Sequence, residues 1–271
     1  MQLSLKESRR LRGILDARLD SLRPLFHAQA QVEDPIGLVY PYVSSPKDAE
    51  IVALLASSLA YGQRKVFVPV ISRILEEIGQ SPYDFVMSSA HIGRFSWFKY
   101  RFNSPDDLHC LFYSLRHVLE VYGSLESAFV MDFREETDTT VFSSLRTFVS
   151  ALSGLDFSVI GLPSEGTPGF RYLLPDPTRG GACKRLNMFL RWMFRKDEVD
   201  LGLWTGVPRT KLVVPLDVHV HRVSLALGLT KKNGSTWSTA ADVTHSLLQL
   251  DPKDPLKYDF LLFSMGAWKE L

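Results

Sequence analysis

Apolar residues recur at i, i+3, i+4 and i+7 through most of this chain, and that spacing confines it to a helical architecture. From Leu108 they fall at Leu108, Leu111, Phe112, Leu115, Val118 and Leu119, one face of an amphipathic helix. Similar patterns cover residues 3–22, 49–61, 66–78, 141–152, 186–194, 239–250 and 256–265. Period-two alternation is scarce. Breakers cluster at 34–46, 81–105 and 161–181, and in the last of these Pro163, Pro168, Pro175 and Pro177 exclude a continuous helix. With 271 residues, 45% of them apolar, the chain can bury one large core or two modest ones. The expectation is an all-α protein without internal repeats.

Several classes of function are disfavoured. Apolar runs such as "IVALLASSLAY" from Ile51 fall well short of the ~20 residues that span a bilayer, and residues 1–10 are too polar for a signal peptide. A cytoplasmic protein with no membrane association is expected. The two cysteines, Cys110 and Cys183, supply neither a disulfide framework nor a four-cysteine zinc or iron–sulfur site. They are expected to be reduced and buried, and no cofactor is expected. The net charge of +1 conceals an asymmetry: residues 168–232 carry twelve Lys/Arg against five Asp/Glu, leaving the remainder acidic. One anion-facing surface would produce this pattern, as would ordinary solvated helix faces.

The stretch "LDVHVHR" from Leu216 has two readings. As a strand it would place Asp217, His219 and His221 on one face, a set suited to a metal ion and hence to a metallohydrolase. As a helix, Asp217 is its N-cap, and Val220, Val223 and Leu227 form a stripe closed by Gly228. Pro215 just upstream favours the helix. On a helix His219 and His221 point about 200° apart and do not readily share a metal.

Upstream runs "PTRGGACKRLNMFLRWMFRK" from Pro177. Gly180 and Gly181 form a turn into a helix whose buried stripe is Leu186, Phe189, Leu190, Met193 and Phe194. Lys184 falls in the first turn, off that stripe, in line with Met188, Arg191, Trp192 and Arg195. A cation at a helix N-terminus opposes the dipole. It suits either an anion-binding role or a need for a less basic amine, since the helix terminus, Arg185 and partial burial all favour the neutral, nucleophilic form. The turn lacks the order of a P-loop, although its N–H groups can still meet a phosphate.

These two segments together resemble the helix-hairpin-helix DNA glycosylases of the endonuclease III superfamily. That superfamily carries a G-x-G-x-K hairpin followed by V-D-T-H-[VIF]-x-R-V. Gly180, Ala182 and Lys184 match the hairpin, with alanine for the second glycine. Asp217, His219, Arg222 and Val223 match the second segment, with Val218 where threonine is usual. "YDFLLFSMG" from Tyr258 is similar to a later superfamily helix and places Asp259 and Phe263 near the substrate side. "LLASSLAYGQRKVFVPVISRI" from Leu54 resembles the helix–turn–helix whose glutamine fills the gap left by an extruded base, with Gln63 as that residue. The 33-residue separation of Lys184 and Asp217 and the missing iron–sulfur cysteines are closest to the archaeal 8-oxoguanine DNA glycosylase branch, with this chain expected in a bacterial family within it.

The resemblance implies a two-lobed glycosylase fold with an interlobe cleft. One lobe spans residues 45–210, and the other combines 1–44 with 211–271. It implies a monomer acting on double-stranded DNA with a damaged base, 8-oxoguanine or another oxidised purine, and an AP-lyase step through a lysine Schiff base. Lys184 would attack C1′ and Asp217 would stabilise charge at the sugar or relay the lysine proton. Arg179, Gly180, Gly181, Arg185, Arg191 and Lys211 would meet the DNA backbone. Lys211 is also a rival nucleophile. Met188, Trp192, Phe263 and Trp268 are candidates to sandwich the flipped base, with Asp259 beside them. The run "FSWFKYRF" from Phe95 suggests either a stacking platform or core rings. A non-catalytic nucleic-acid-binding module on the same scaffold is the alternative.

Overall fold

The computed structural model describes residues 4–88 and 93–267, and the side chains among them except those of residues 27–33. Among the described residues the regular structure is helical, with no β-strand beyond isolated bridges. The α-helices are α1 (Leu5–Glu33), α2 (Pro46–Leu59), α3 (Arg64–Ile78), α4 (Pro82–Met87), α5 (Pro105–Tyr122), α6 (Leu125–Val130), α7 (Phe142–Ser153), α8 (Pro168–Leu173), α9 (Lys184–Phe194), α10 (Val218–Ala226), α11 (Trp237–Leu250) and α12 (Asp259–Ala267). Each expected amphipathic segment is a helix. None of these helices is long and apolar enough to cross a membrane.

The prolines read as breakers have a second role. Pro46, Pro82, Pro105 and Pro168 each open a helix, each directly after a serine or threonine. Proline fits the first helical turn because its φ is already near the helical value and its missing N–H would be unpaired there anyway. Ser45 and Thr167 complete the start by accepting from the amides of Asp48 and Phe170. The short helices α4 and α8 therefore stand inside two of the stretches where breakers cluster.

The chain divides into two compact units. The first comprises Met1–Val32, Arg134–Phe142 and Pro177–Leu271; the second comprises Glu33–Phe133 and Ser143–Asp176. The second unit is built around α2, buried from Ala49 to Ala60. Its Glu50 accepts from the amides of Leu125 and Glu126 at the start of α6 (2.8 and 3.4 Å). Asp107, on α5, gathers another four donors. Its Oδ2 accepts from Asn103 Nδ2 (2.9 Å) and the Ser104 amide (2.7 Å), and its Oδ1 from Thr167 Oγ1 and the Phe170 amide (3.0 Å). Gly169 makes this possible, since a Cβ there would run into the Asp107 carboxylate.

In the first unit α10 and α12 cross closely at Gly266, where a Cβ would lie 2.7 Å from the His219 carbonyl oxygen. Asp16 of α1 accepts from Lys257 Nζ and Tyr258 Oη, both at 2.7 Å. The division expected at residues 44 and 210 thus differs from the one observed. Lys184 and Asp217, assigned from sequence to different lobes, share the first unit. Three anchors account for this: the arginines of α9 pair with Asp254 and Asp259, the Gly180 turn bonds to residues 235–237, and Lys211 fastens the 134–142 segment.

Candidate catalytic site

The hairpin begins with a 3₁₀ turn, Pro177–Arg179, followed by Gly180 at φ +80° and by Gly181, both exposed. Two bonds pin it to the segment before α11: the Ala182 amide donates to the Ser235 carbonyl (3.2 Å) and the Trp237 amide to the Gly180 carbonyl (3.0 Å). Cys183 then adopts a left-handed conformation (φ 48°, ψ 38°), which costs a non-glycine residue roughly 1–2 kcal/mol. Asn187 holds the bend by donating Nδ2 to the Ala182 carbonyl (2.9 Å). Cys183 is the N-cap of α9 and makes no side-chain cap hydrogen bond, and the positive end of this eleven-residue helix faces the turn.

Lys184 is the first residue of α9 and is half-buried. Its Nζ lies 3.5 Å from the Met188 sulfur, a weak acceptor. Among the described residues no carboxylate pairs with this amine. Lys211 contrasts with it. The Lys211 amine donates to the carbonyls of Glu135 (2.9 Å) and Asp138 (2.6 Å), and the Val141 amide returns a bond to its carbonyl. Lys211 is a structural clamp, which removes it as a rival nucleophile and as a phosphate contact.

"LDVHVHR" is a helix. Asp217 is the N-cap of α10, extended in backbone, with Oδ1 accepting from the amides of His219 (2.8 Å) and Val220 (2.9 Å). Pro215 and Asp217 together explain the start: the proline disfavours continuation from upstream, and the carboxylate meets the orphan donors. Val218 stands 70% exposed beside it. The three side chains once grouped as a metal set have separate surroundings. Asp217 caps the helix, His219 packs edge-on against Phe263 (5.7 Å), and His221 Nε2 lies 2.9 Å from the Lys232 carbonyl. Among the described residues no three His, Cys, Asp or Glu side chains are gathered to hold a metal ion.

The basic face expected along α9 is interior. Arg185, Met188, Arg191, Trp192 and Arg195 are all buried. Arg191 Nε donates to Asp200 (3.1 Å) and its Nη1 to Asp259; Arg195 pairs with Asp197, Asp200 (2.7 Å) and Asp254 (3.0 Å). Part of the positive excess in 168–232 is therefore neutralised inside the first unit. Neither Arg185 nor Arg191 is a surface phosphate contact; Arg179, Gly180 and Gly181 are exposed where they were expected.

Asp259 is also sealed in, at 4% exposure. Burial raises its affinity for a proton, Arg191 opposes that, and the charges of Asp217 and Asp200 reinforce it. Its Oδ1 finds no hydrogen-bond partner among the described residues. Asp259 therefore belongs to the buried charge network instead of lining an open base pocket. Phe263 is 39% exposed, Met188 lies under Lys184, and Trp268 falls outside the described residues. In the second unit Gln63 is exposed at the N-cap position of α3, in a turn opened by Gly62 at φ +82°. The pairing of Arg191 and Arg195 with Asp200, Asp254 and Asp259 escapes sequence reasoning, because nothing local links these aspartates to α9.

Residues 34–268 match a family described as a protein of unknown function (DUF2400), and the chain belongs to that family. Neither a curated protein nor a solved structure matches it.

Proposed function

We propose that this protein is a helix-hairpin-helix DNA glycosylase with AP-lyase activity, acting on duplex DNA that carries an oxidised purine such as 8-oxoguanine. The observation that carries the reading is Lys184, a half-buried amine opening α9 behind a Gly-Gly turn, with no carboxylate partner among the described residues. The exposed glycine turn ahead of α9, Gly180 and Gly181, gives a DNA backbone room to approach the positive end of that helix. Asp217 brings a carboxylate fixed by two amides at the start of α10, suited to a sugar that develops positive charge as the C1′–N bond breaks.

The chemistry balances without a cofactor. The neutral amine adds to C1′ as the base leaves with its bonding pair and takes a proton. Loss of the amine proton and ring opening give the Schiff base, from which β-elimination expels the 3′ phosphate. Release of 8-oxoguanine from a single-lesion duplex tests the reading. Wild type should release the base, and both Lys184→Gln and Asp217→Asn should lose at least about 100-fold in rate, in the range typical of a removed catalytic group. Asn keeps an N-cap oxygen, so its loss of rate would reflect charge and not a frayed helix. Full activity in Lys184→Gln, or DNA binding without base release from any oxidised purine, would overturn the assignment and favour a binding module.

A further inference from the structure

The run "FSWFKYRF" is split by the fold. Phe95, Phe98 and Tyr100 are core rings, whereas Phe102 is 52% exposed. Phe102 joins Tyr61, from the turn before α3, and Tyr172, from α8, itself 43% exposed. The Phe102 ring lies nearly parallel to Tyr61 (5.8 Å, 24°) and edge-on to Tyr172 (4.6 Å, 84°), and Tyr61 meets Tyr172 at 5.1 Å. Three mutually packed rings from three segments thus reach the surface of the second unit, where single exposed apolar residues would be unremarkable.

The cluster is held from beneath. Tyr61 Oη bonds Asn103 Oδ1, and Tyr100 Oη donates to the Tyr61 carbonyl. Asn103 and Phe170, neighbours of Phe102 and Tyr172, both donate to buried Asp107. Arg101 takes a left-handed conformation (φ 54°) that sets its guanidinium 5.9 Å over the Tyr61 ring. Gly62 leaves room for it, since a Cβ there would stand 2.7 Å from Arg101 Nη1. The surrounding segments 61–65, 99–102 and 171–172 contain Arg64, Lys65, Lys99, Arg101 and Arg171 and no Asp or Glu. Lys65, Lys99 and Arg101 are exposed and have no carboxylate partner among the described residues.

We propose that Tyr61, Phe102 and Tyr172 form a stacking platform for unpaired bases of a nucleic-acid strand, with Lys65, Lys99 and Arg101 meeting its phosphates. Ring faces fixed in advance beside cations that lack carboxylates complement a polyanion carrying planar, unpaired bases. The proposal rests on the nucleic-acid part of the reading above and is independent of Lys184 chemistry.

Fluorescence anisotropy with labelled (dT)12 and with a fully paired duplex of equal length tests it on the full chain. Wild type should prefer (dT)12. The Phe102→Ala/Tyr172→Ala variant should bind (dT)12 at least about tenfold more weakly, while duplex affinity changes less than twofold, since paired bases offer no free face to stack on the rings. Should that variant melt, Phe102→Leu keeps the volume, removes the ring face and reports the same preference. Lys65→Gln with Lys99→Gln should flatten the salt dependence by ~0.7 per charge removed. Absence of a single-strand preference in wild type, or a double variant that binds (dT)12 as wild type does, overturns the platform. Base release by wild type and Lys184→Gln separates the two readings: a single-strand preference in wild type without Lys184-dependent chemistry keeps the platform and sinks the glycosylase.

Discussion

In the second unit the buried carboxylate of Asp107, on α5, is satisfied by four neutral donors drawn from the turn before α5 and the start of α8. In the first unit Arg191 and Arg195 are buried against four aspartates, Asp197, Asp200, Asp254 and Asp259. Neutral donors cost little to bring together and serve as a geometric tie. Charges buried against one another depend on their opposite partners, because removing one leaves another uncompensated in the interior. The contrast separates a unit whose buried polar group organises loops near an exposed aromatic cluster from one whose charge network lies beneath the candidate catalytic helix α9.

The contrast breaks most readily at Arg191. Arg191→Met strands Asp259 in the interior, leaves Asp200 with Arg195 alone, and should destabilise the first unit by about 3–5 kcal/mol in urea denaturation. Adding Asp259→Asn should return part of that loss, and no recovery would mean the pair is not the cause. Asp107→Asn sharpens the other half of the comparison. It places an amide where four donors converge and should cost roughly 1–3 kcal/mol, with a parallel drop in (dT)12 affinity if Asp107 orders the platform.

Acid should also distinguish the units. Burial tends to raise the pKa values of Asp16 and Asp197, but Lys257 and Tyr258 outweigh it for Asp16, and Arg195 and two amides do so for Asp197, so both carboxyls sit below their usual value. A depressed carboxylate contributes stability that is fully present above the unfolded value near 3.8 and is lost as pH falls through the folded one. Asp259, raised by burial, works in the opposite sense, because taking up a proton relieves a penalty. The depressed carboxyls of the second unit, Asp156 and Glu165, are on the surface. Below about pH 4, hydrogen exchange at the α9 amides should therefore accelerate before that at the α5 amides; the reverse order would contradict the account. The smallest effect is expected at Asp217. Asp217→Ala should cost ~1 kcal/mol as a lost N-cap, and Asp217→Asn only a few tenths, although both should slow base release by at least about 100-fold.

What could be read without coordinates was what neighbours in sequence decide. The stripe on α5, the start of α10 at Asp217 and the position of Lys184 all follow from spacing, a cap and a glycine turn within a few residues. Failures came from distant partners. Arg191 looks like a solvent-facing cation until Asp259, 68 positions on, arrives beside it. Lys211 looks like a free amine until the 134–142 segment folds over it. The prolines at 46, 82, 105 and 168 read as breakers because their role as helix openers depends on the residue before them. The aromatic run from Phe95 could not be divided by pattern alone, since only the position of Tyr172 shows which ring faces outward.

Borohydride trapping on a duplex with one abasic site, comparing wild type with Lys184→Gln and Lys211→Gln, tests the central claim most directly. A covalent protein–DNA adduct that forms with wild type and Lys211→Gln but vanishes with Lys184→Gln is the predicted result. An adduct that persists in Lys184→Gln, or none with wild type while DNA binding is intact, would contradict it.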